Sequence, residues 1–240
     1  MRYKVNANFA QLGSIDYFLR AAPDGLSAWL VRRDSRLVWF CILAVVAGCA
    51  PYGAVMGFWW APLQALYVAL KLPLLILLTS LGNGLLNGML APLLGLNISF
   101  RQSLTAVLVS FAYAALVLGA MSPVALFIVC NTPVWTPATR ELAAEYALMQ
   151  LTLVVFIAFA GVVGNVRLLP LLQQLANGDR VVAFKVLFAW LGGNLFLGSQ
   201  VCWVLRPFIW AGHPVVFFGP HPFEGSFYES VFLALKRVFF

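Results

Sequence analysis

Five long apolar stretches dominate the pattern of hydrophobic and polar positions along the chain. A membrane-spanning helix needs around 20 apolar residues to cross a hydrocarbon core of about 30 Å, and each stretch is long enough. The predicted spans cover residues 37–56, 72–94, 104–130, 146–166 and 181–205. This pattern predicts an all-α fold, an integral membrane bundle of five transmembrane helices.

The second apolar stretch is less regular than the others. Lys71 is its only charged residue and Pro73 follows two positions later, which is a combination typical of an interrupted helix. We therefore interpret residues 64–70 as an oblique or interfacial turn ahead of the span. A re-entrant pair of half-helices between residues 61 and 97 is the alternative.

Local signals mark where several of these helices begin and end. Ser99 and Gln102 form a capping-box pattern ahead of the third span. Thr136 followed by Pro137 is typical of a helix start and precedes the fourth span. The pair Asn177–Gly178 is typical of a helix stop, so the fourth helix is expected to extend toward it.

Both ends of the chain carry shorter amphipathic patterns. In residues 1–36 the apolar positions recur at helical spacing, which predicts either short helices on the membrane surface or a docking face for a partner. Residues 206–240 form a tail that ends in a helix with Ser226 and Glu229 as its capping box. At about 15 residues that helix is too short to span a membrane. Residues 37–205 between these two segments form the five-span membrane domain.

Basic residues near the predicted spans are divided unequally between the two sides of the membrane. With a cytoplasmic N-terminus, eight Lys and Arg residues flank the spans on the cytoplasmic side and three flank them on the other side. Cytoplasmic loops carry the excess of positive residues, so the distribution predicts a cytoplasmic N-terminus and an external C-terminus. The eight are Arg20, Arg32, Arg33, Arg36, Arg101, Arg167, Arg180 and Lys185, and the three are Lys71, Arg140 and Arg206.

Composition narrows the class of protein. Of the 240 residues, 62% are hydrophobic and 10% are charged, whereas soluble domains have about 45–50% and 25%. Such a chain has too few polar residues to cover a water-soluble surface and is too apolar to be disordered. Its 15 basic residues are spread along the chain, which excludes a nucleic-acid partner. Membrane lipids are the partners that this composition predicts.

Acidic residues are absent where ion-coupled transport generally needs them. No Asp or Glu lies between Cys41 and Arg140, and Glu141 and Glu145 lie at the head of the fourth helix. Proton or sodium coupling uses a buried carboxylate or an unwound stretch of backbone carbonyls. The missing carboxylates therefore argue against an ion-coupled carrier.

The remaining chemistry offers neither a catalytic nor a metal site. No nucleophile triad, metalloprotease motif or phosphate-binding glycine loop occurs, so no catalytic residue and no cofactor is predicted. His213, His221 and Glu224 match no metal-ligand spacing. The four cysteines lie in or beside apolar stretches, where a thiol packs as a small hydrophobe; they are Cys41, Cys49, Cys130 and Cys202.

Amides and small residues recur inside the spans. Asn83 with Asn87, and Gly84 with Gly88, lie at i, i+4 on neighbouring faces of the second span, and Asn194 lies among glycines in the fifth. Small residues let helices approach closely and buried amides bond across the contact. We expect these residues to pack helices, with a lined cavity as the alternative. We also expect the Gly84 and Gly88 face to bind a second copy of the chain or another membrane subunit.

Three basic residues are candidates for contact with lipid headgroups. Lys71 and Lys185 each lie within about a turn of a predicted membrane edge, and Arg206 follows the fifth span. Long basic side chains at such positions extend to the headgroups. Binding of anionic headgroups is the more specific alternative for these residues.

One stretch of the sequence resembles a known family. Its residues are Gly88–Gly95, Asn97, Ile98, Ser99, Phe100, Arg101, Gln102, Ser103, Leu104, Ser122 and Pro123, and they resemble the Yip-domain family of Ypt-interacting membrane proteins and their bacterial relatives. The resemblance implies five spans, a cytoplasmic N-terminus and an external or lumenal C-terminus. The acidic motif linked to GTPase recognition has no counterpart before Leu37, so GTPase binding is not implied.

These patterns together predict a non-enzymatic protein of the bacterial inner membrane that scaffolds or organises a membrane complex. The surface-lying helices expected at both ends suit contact with lipid or with a partner. The alternative is a permease-like transport component that passes a lipid or a small solute through a groove beside Asn83, Asn87 and Asn194.

Overall fold

The computed structural model describes residues 35–133, 143–205, 217 and 225–239. Six helices and no strand occur in these residues. The helices are α1 (Ser35–Phe58), α2 (Pro62–Leu93), α3 (Phe100–Asn131), α4 (Ala143–Leu175), α5 (Arg180–Leu205) and α6 (Phe227–Phe239). Helices α1 to α5 are long and apolar enough to cross a membrane. The predicted all-α, five-span fold is confirmed, and the chain is a multi-pass membrane protein.

Several sequence predictions fall outside the described residues. They concern the N-terminal segment up to residue 34, the Thr136–Pro137 helix start, Arg206, and the three residues weighed as metal ligands, His213, His221 and Glu224.

Helix α2 corrects the prediction for the second apolar stretch. It is one continuous helix of 32 residues that contains Lys71 and Pro73, so residues 64–70 form neither a turn nor half of a re-entrant pair. Pro62 lies in the first turn, where the missing N–H has no helical partner to lose. Pro73 is buried, and a break in the helix within hydrocarbon would expose backbone groups that lipid cannot bond. The helix therefore continues through both residues.

Side-chain caps begin two helices as the sequence predicts. The Ser99 Oγ accepts a hydrogen bond from the Gln102 N–H at 3.3 Å, and the Ser99 N–H donates to the Gln102 Oε1 at 2.8 Å. This reciprocal pair begins α3. At α6 the Ser226 Oγ accepts from the Glu229 N–H at 3.2 Å. Both caps satisfy N–H groups that a helix start would otherwise leave unpaired.

The turn between α4 and α5 also follows the predicted stop signal. Asn177 and Gly178 have φ angles of 53° and 89°, in the left-handed region that ends helices. The Asp179 Oδ1 then accepts hydrogen bonds from the N–H groups of Val181 and Val182 at 2.9 and 3.1 Å. One short segment thus ends α4 and begins α5.

Helix α1 packs against both α2 and α3, α3 packs against α4, and α5 packs against α2 and α4. The short helix α6 lies on α4 and α5. Tyr52 of α1 is buried and its hydroxyl donates a 2.8 Å hydrogen bond to the Leu153 carbonyl of α4. The buried core therefore lies where α1, α2, α3 and α4 converge, whereas one side of α5 faces outward.

Glycines bring the backbones of α1 and α3 into direct contact. A Cβ on Gly48 would lie 2.1 Å from the Ala115 carbonyl oxygen, and a Cβ on Gly119 would lie 2.9 Å from the Gly48 Cα. Helix α1 approaches α2 in the same way, since a Cβ on Gly53 would lie 2.6 Å from the Val68 carbonyl oxygen. These three positions accept no side chain without separating the helices.

Gly48→Ala is expected to destabilise the protein, because the added methyl overlaps the Ala115 backbone. Overpacking of this kind costs about 1–3 kcal/mol. Gly161→Ala in α4 is the matched control, since a Cβ there meets nothing within 4 Å and removing a helical glycine stabilises by about 0.5–1 kcal/mol. Thermal unfolding of both variants in detergent measures the difference. Equal stability of the two would contradict the close α1–α3 contact.

Candidate functional site

Helices α2 and α5 meet along antiparallel faces in steps of four residues. Residues four apart lie on the same side of a helix, and the contacts occur at multiples of this spacing along the interface. The pairs are Leu75 with Cys202, Thr79 with Gly198, Asn83 with Asn194, and Gly95 with Val182. Polar side chains occupy the middle of this interface and apolar side chains occupy its Leu75 end.

Asn83 joins the two helices. It is fully buried, and its Nδ2 donates to the Asn194 Oδ1 and to the Trp190 carbonyl oxygen at 3.4 Å. Asn194 lies near the middle of α5, roughly 15–20 Å from either end at 1.5 Å per residue. The bonded amides therefore lie deep within the predicted membrane span.

Gly193 makes room for two amide groups of α2. A Cβ at this position would lie 2.5 Å from the Asn83 Oδ1 and 3.9 Å from the Asn87 Oδ1. The two amide oxygens thus converge on the same point of the α5 backbone. A side chain larger than hydrogen at residue 193 would displace Asn83.

Several polar atoms at this interface have no hydrogen-bond partner in the described part of the chain. They are the Thr79 Oγ1, the Asn83 Oδ1, both side-chain polar atoms of Asn87 and the Trp190 Nε1. We refer to Thr79, Asn83, Asn87, Trp190 and Asn194 as the polar cluster. An unsatisfied buried polar atom costs about 1–3 kcal/mol, so the polar cluster is an expensive feature for a membrane interior.

The polar cluster carries no charge and offers both hydrogen-bond donors and hydrogen-bond acceptors. The Asn83 and Asn87 oxygens are open acceptors, while the Asn87 amide supplies an open donor. None of the five residues is charged, so the cluster offers no counter-charge to an ion, and an uncompensated ion in a bilayer is costly. The arrangement suits a neutral group that both donates and accepts hydrogen bonds.

The glycines of α2 face a different helix. A Cβ on Gly84 would lie 3.0 Å from the Leu104 Cα, and a Cβ on Gly88 would lie 2.5 Å from the Phe100 ring. The two glycines lie on the neighbouring side of α2 that the sequence predicts, and the expectation that they bind a partner stays a prediction. Helix α3 follows α2 after a short connection and covers this face within the same chain.

The three headgroup candidates differ in their surroundings. Lys185 is exposed on α5, as its position predicts, and Arg206 lies outside the described residues. Lys71 is only 1% exposed, so it is not the freely extended side chain that the sequence predicts. Its Nζ lies 5.0 Å from the ring centroid of Phe217, because this residue of the tail lies against α2.

Metal-ligating side chains do not gather in the described part of the chain, where no group of three or more His, Cys, Asp or Glu lies together. Three of the four free cysteines are buried, and Cys130 is exposed.

Comparison of the chain with protein-family models, with curated proteins and with solved structures finds no match. The resemblance to the Yip-domain family stays a prediction. The site is therefore interpreted from its own geometry.

Thr79 and Trp190 are not among the residues that the sequence predicts for this site. Their signal is the four-residue spacing on each helix, which places Thr79 with Asn83 and Asn87, and Trp190 with Asn194. That spacing does not show which two of the five helices face each other, and so the cluster emerges only in the folded chain.

Asn87→Leu is expected to leave the stability unchanged or to raise it by about 1 kcal/mol, because it removes a buried amide that has no partner among the described residues. Asn83→Leu is expected to lower it by about 1–2 kcal/mol, since it breaks the bonds to Trp190 and Asn194. Thermal unfolding in detergent compares the two variants. If Asn87→Leu lowered the stability more than Asn83→Leu did, Asn87 would have a structural role and would not be an open binding group.

Proposed function

We propose that the chain is a non-enzymatic, permease-like transport component whose polar cluster binds a small neutral polar solute or the uncharged polar part of a lipid. The observation that carries this proposal is the set of open donors and acceptors on Asn83 and Asn87, which are buried near the middle of a spanning helix and face Gly193 of another. If these residues served only to pack the helices together, their polar atoms would be expected to hydrogen-bond one another.

The energetics favour a binding role over a packing role. Each open atom costs about 1–3 kcal/mol, and a leucine or alanine at the same position would pack the helices without that cost. Polar groups inside a membrane generally serve a pathway or a ligand. A neutral solute that donates and accepts hydrogen bonds would recover the cost while it is bound.

Helix α5 is the part of the site best suited to move. Its buried side chains are few, and Phe184, Phe188 and Phe196 are exposed. Elements with few buried contacts open at the lowest free-energy cost. Displacement of α5 from α2 would give a solute access to the polar cluster without disturbing the glycine contacts between α1 and α3.

The apolar end of the α2–α5 interface supplies a barrier. Leu75, Cys202 and Leu205 form a small buried cluster there, with Phe227 packed against it. A polar site beneath an apolar constriction holds a solute only when the constriction opens. This arrangement fits a regulated path better than a permanently open pore.

Scaffolding of a membrane complex stays the second candidate. The observation in its favour is α6, which exposes Phe232 and Phe239 beside Lys236 and Arg237, a pattern that suits an interfacial surface. The covered Gly84 and Gly88 face no longer supports it.

The type of membrane and the orientation of the chain in it are part of the same proposal. The resemblance to the Yip-domain relatives supports a bacterial inner membrane, and the distribution of basic residues supports a cytoplasmic N-terminus.

Reporter fusions test this orientation. A fusion after Gly178, in the turn between α4 and α5, is expected to report a cytoplasmic location, and a fusion after Phe240 is expected to report an external one. The reason is the excess of Lys and Arg on the side that holds this turn. The same signal from both fusions would contradict the five-span path, and exchanged signals would reverse the orientation.

Permeation into reconstituted vesicles tests the transport proposal. Purified protein is expected to speed the entry of at least one of water, glycerol and urea relative to protein-free vesicles, as followed by light scattering. Asn87→Leu is expected to reduce that increment by about ten-fold, equivalent to about 1.4 kcal/mol, because it removes open donors and acceptors from the site. Asn131→Leu is the control, since Asn131 is exposed and bonds the Phe127 carbonyl of its own helix.

The outcomes separate the two candidate functions. Permeation that is lost with Asn87→Leu and kept with Asn131→Leu supports transport. Protein that speeds no solute, and that is purified from its native membrane with stoichiometric partner subunits, supports scaffolding instead.

A further inference from the structure

Lys71 lies in an unusual environment near the end of α2 that begins at Pro62. Its side chain is 1% exposed, and the ammonium group faces the ring of Phe217 at 5.0 Å. The same ring contacts Tyr67 edge-on, with the ring centroids 5.4 Å apart. Phe217 therefore covers one turn of α2, from Tyr67 to Lys71.

This ammonium group has no ion pair and no hydrogen bond to any residue that the structure describes. The described residues of α1, α2 and α3 contain no Asp or Glu. The Asp179 carboxylate caps the start of α5, where Val182 packs beside Gly95 at the far end of α2. Within the described chain, the positive charge of Lys71 thus has no negative partner.

The ring of Phe217 offsets only part of the cost of burying this charge. A cation–π contact contributes about 0.5–2 kcal/mol, whereas removing an ammonium group from water costs several kcal/mol even after relaxation. A bound anion would supply the missing interaction. Phosphate oxygens suit a lysine, since a compact ammonium group with three donors is a common phosphate ligand.

We propose that Lys71 is the anchoring cation of a phosphate-binding site, bounded on one side by Phe217 and Tyr67. The ligand is a phosphate oxyanion, carried either by the headgroup of an anionic lipid or by free inorganic phosphate. The proposal does not depend on the polar cluster. Leu75 and its apolar neighbours Cys202 and Leu205 lie between Lys71 and that cluster. The two sites therefore bind separate ligands.

Lipid binding to the full-length protein in detergent tests the site. Phosphatidylglycerol and phosphatidylcholine with the same acyl chains, and inorganic phosphate in a separate arm, are titrated while bound ligand is followed by native mass measurement and thermal shift. Wild-type protein is expected to prefer at least one of the two anionic ligands over phosphatidylcholine. Protection by phosphatidylglycerol alone assigns the site to a lipid, and protection by inorganic phosphate as well assigns it to the free oxyanion.

Charge variants locate the binding. Lys71→Gln is expected to weaken binding of the anionic ligand by about ten-fold, as for the loss of about 1.4 kcal/mol. Lys71→Arg keeps the charge and is expected to stay within about three-fold of wild type. Arg180→Gln is the control, because Arg180 is an exposed basic residue at the start of α5, beside the end of α2 that lies away from Lys71, and it is expected to bind as wild type does.

Phe217→Leu gives a second measurement that does not depend on the folding of Lys71→Gln. It removes the ring that competes for the ammonium group, so anion binding is expected to tighten by about two- to five-fold, within the range of a cation–π contact. A ring with a purely structural role would not produce tighter binding. The proposal is overturned if neither anion binds in preference to phosphatidylcholine, if Lys71→Gln binds as wild type does, or if Phe217→Leu loses binding.

Discussion

Lipid hydrocarbon offers no hydrogen-bond partner to a polypeptide, and this constraint governs the whole structure. Backbone groups within the membrane are satisfied mainly by hydrogen bonds inside their own segment, so the spans continue as helices even where the sequence contains proline or lysine. Helix α2 is the clearest instance, because it continues through Lys71 and Pro73. Polar side chains are subject to the same constraint. Where a buried polar side chain remains unpaired, helix packing alone does not explain why that residue is present.

Close packing replaces the hydrophobic effect as the force that holds these helices together, since lipid tails are as apolar as the helix surfaces. Gly48 and Gly119 bring α1 and α3 into backbone contact, and Gly53 does the same for α1 and α2. The result is a tight unit of three helices. Helix α5 buries far fewer side chains, so the two parts of the bundle differ in how readily they separate.

The two proposed sites lie at different places along α2. The polar cluster lies on the α2–α5 interface, where open amide groups face a glycine of the opposing helix. Lys71 lies nearer the beginning of α2, beneath a phenylalanine of the tail. One site offers neutral donors and acceptors and the other offers a single positive charge. We assign the two sites to different ligands because their chemistry differs and because apolar residues lie between them.

The sequence by itself determined the membrane class, the five spans, and the ends of α3, α4 and α6, because apolar length and capping residues act locally. It also identified Asn83, Asn87 and Asn194 as residues of interest. Only the tertiary structure decided that α5 rather than α3 faces Asn83 and Asn87, that α3 covers Gly84 and Gly88, and that Phe217 lies over Lys71. The reason is physical: helical periodicity places residues on a face, but the partner of that face depends on how helices distant in sequence pack.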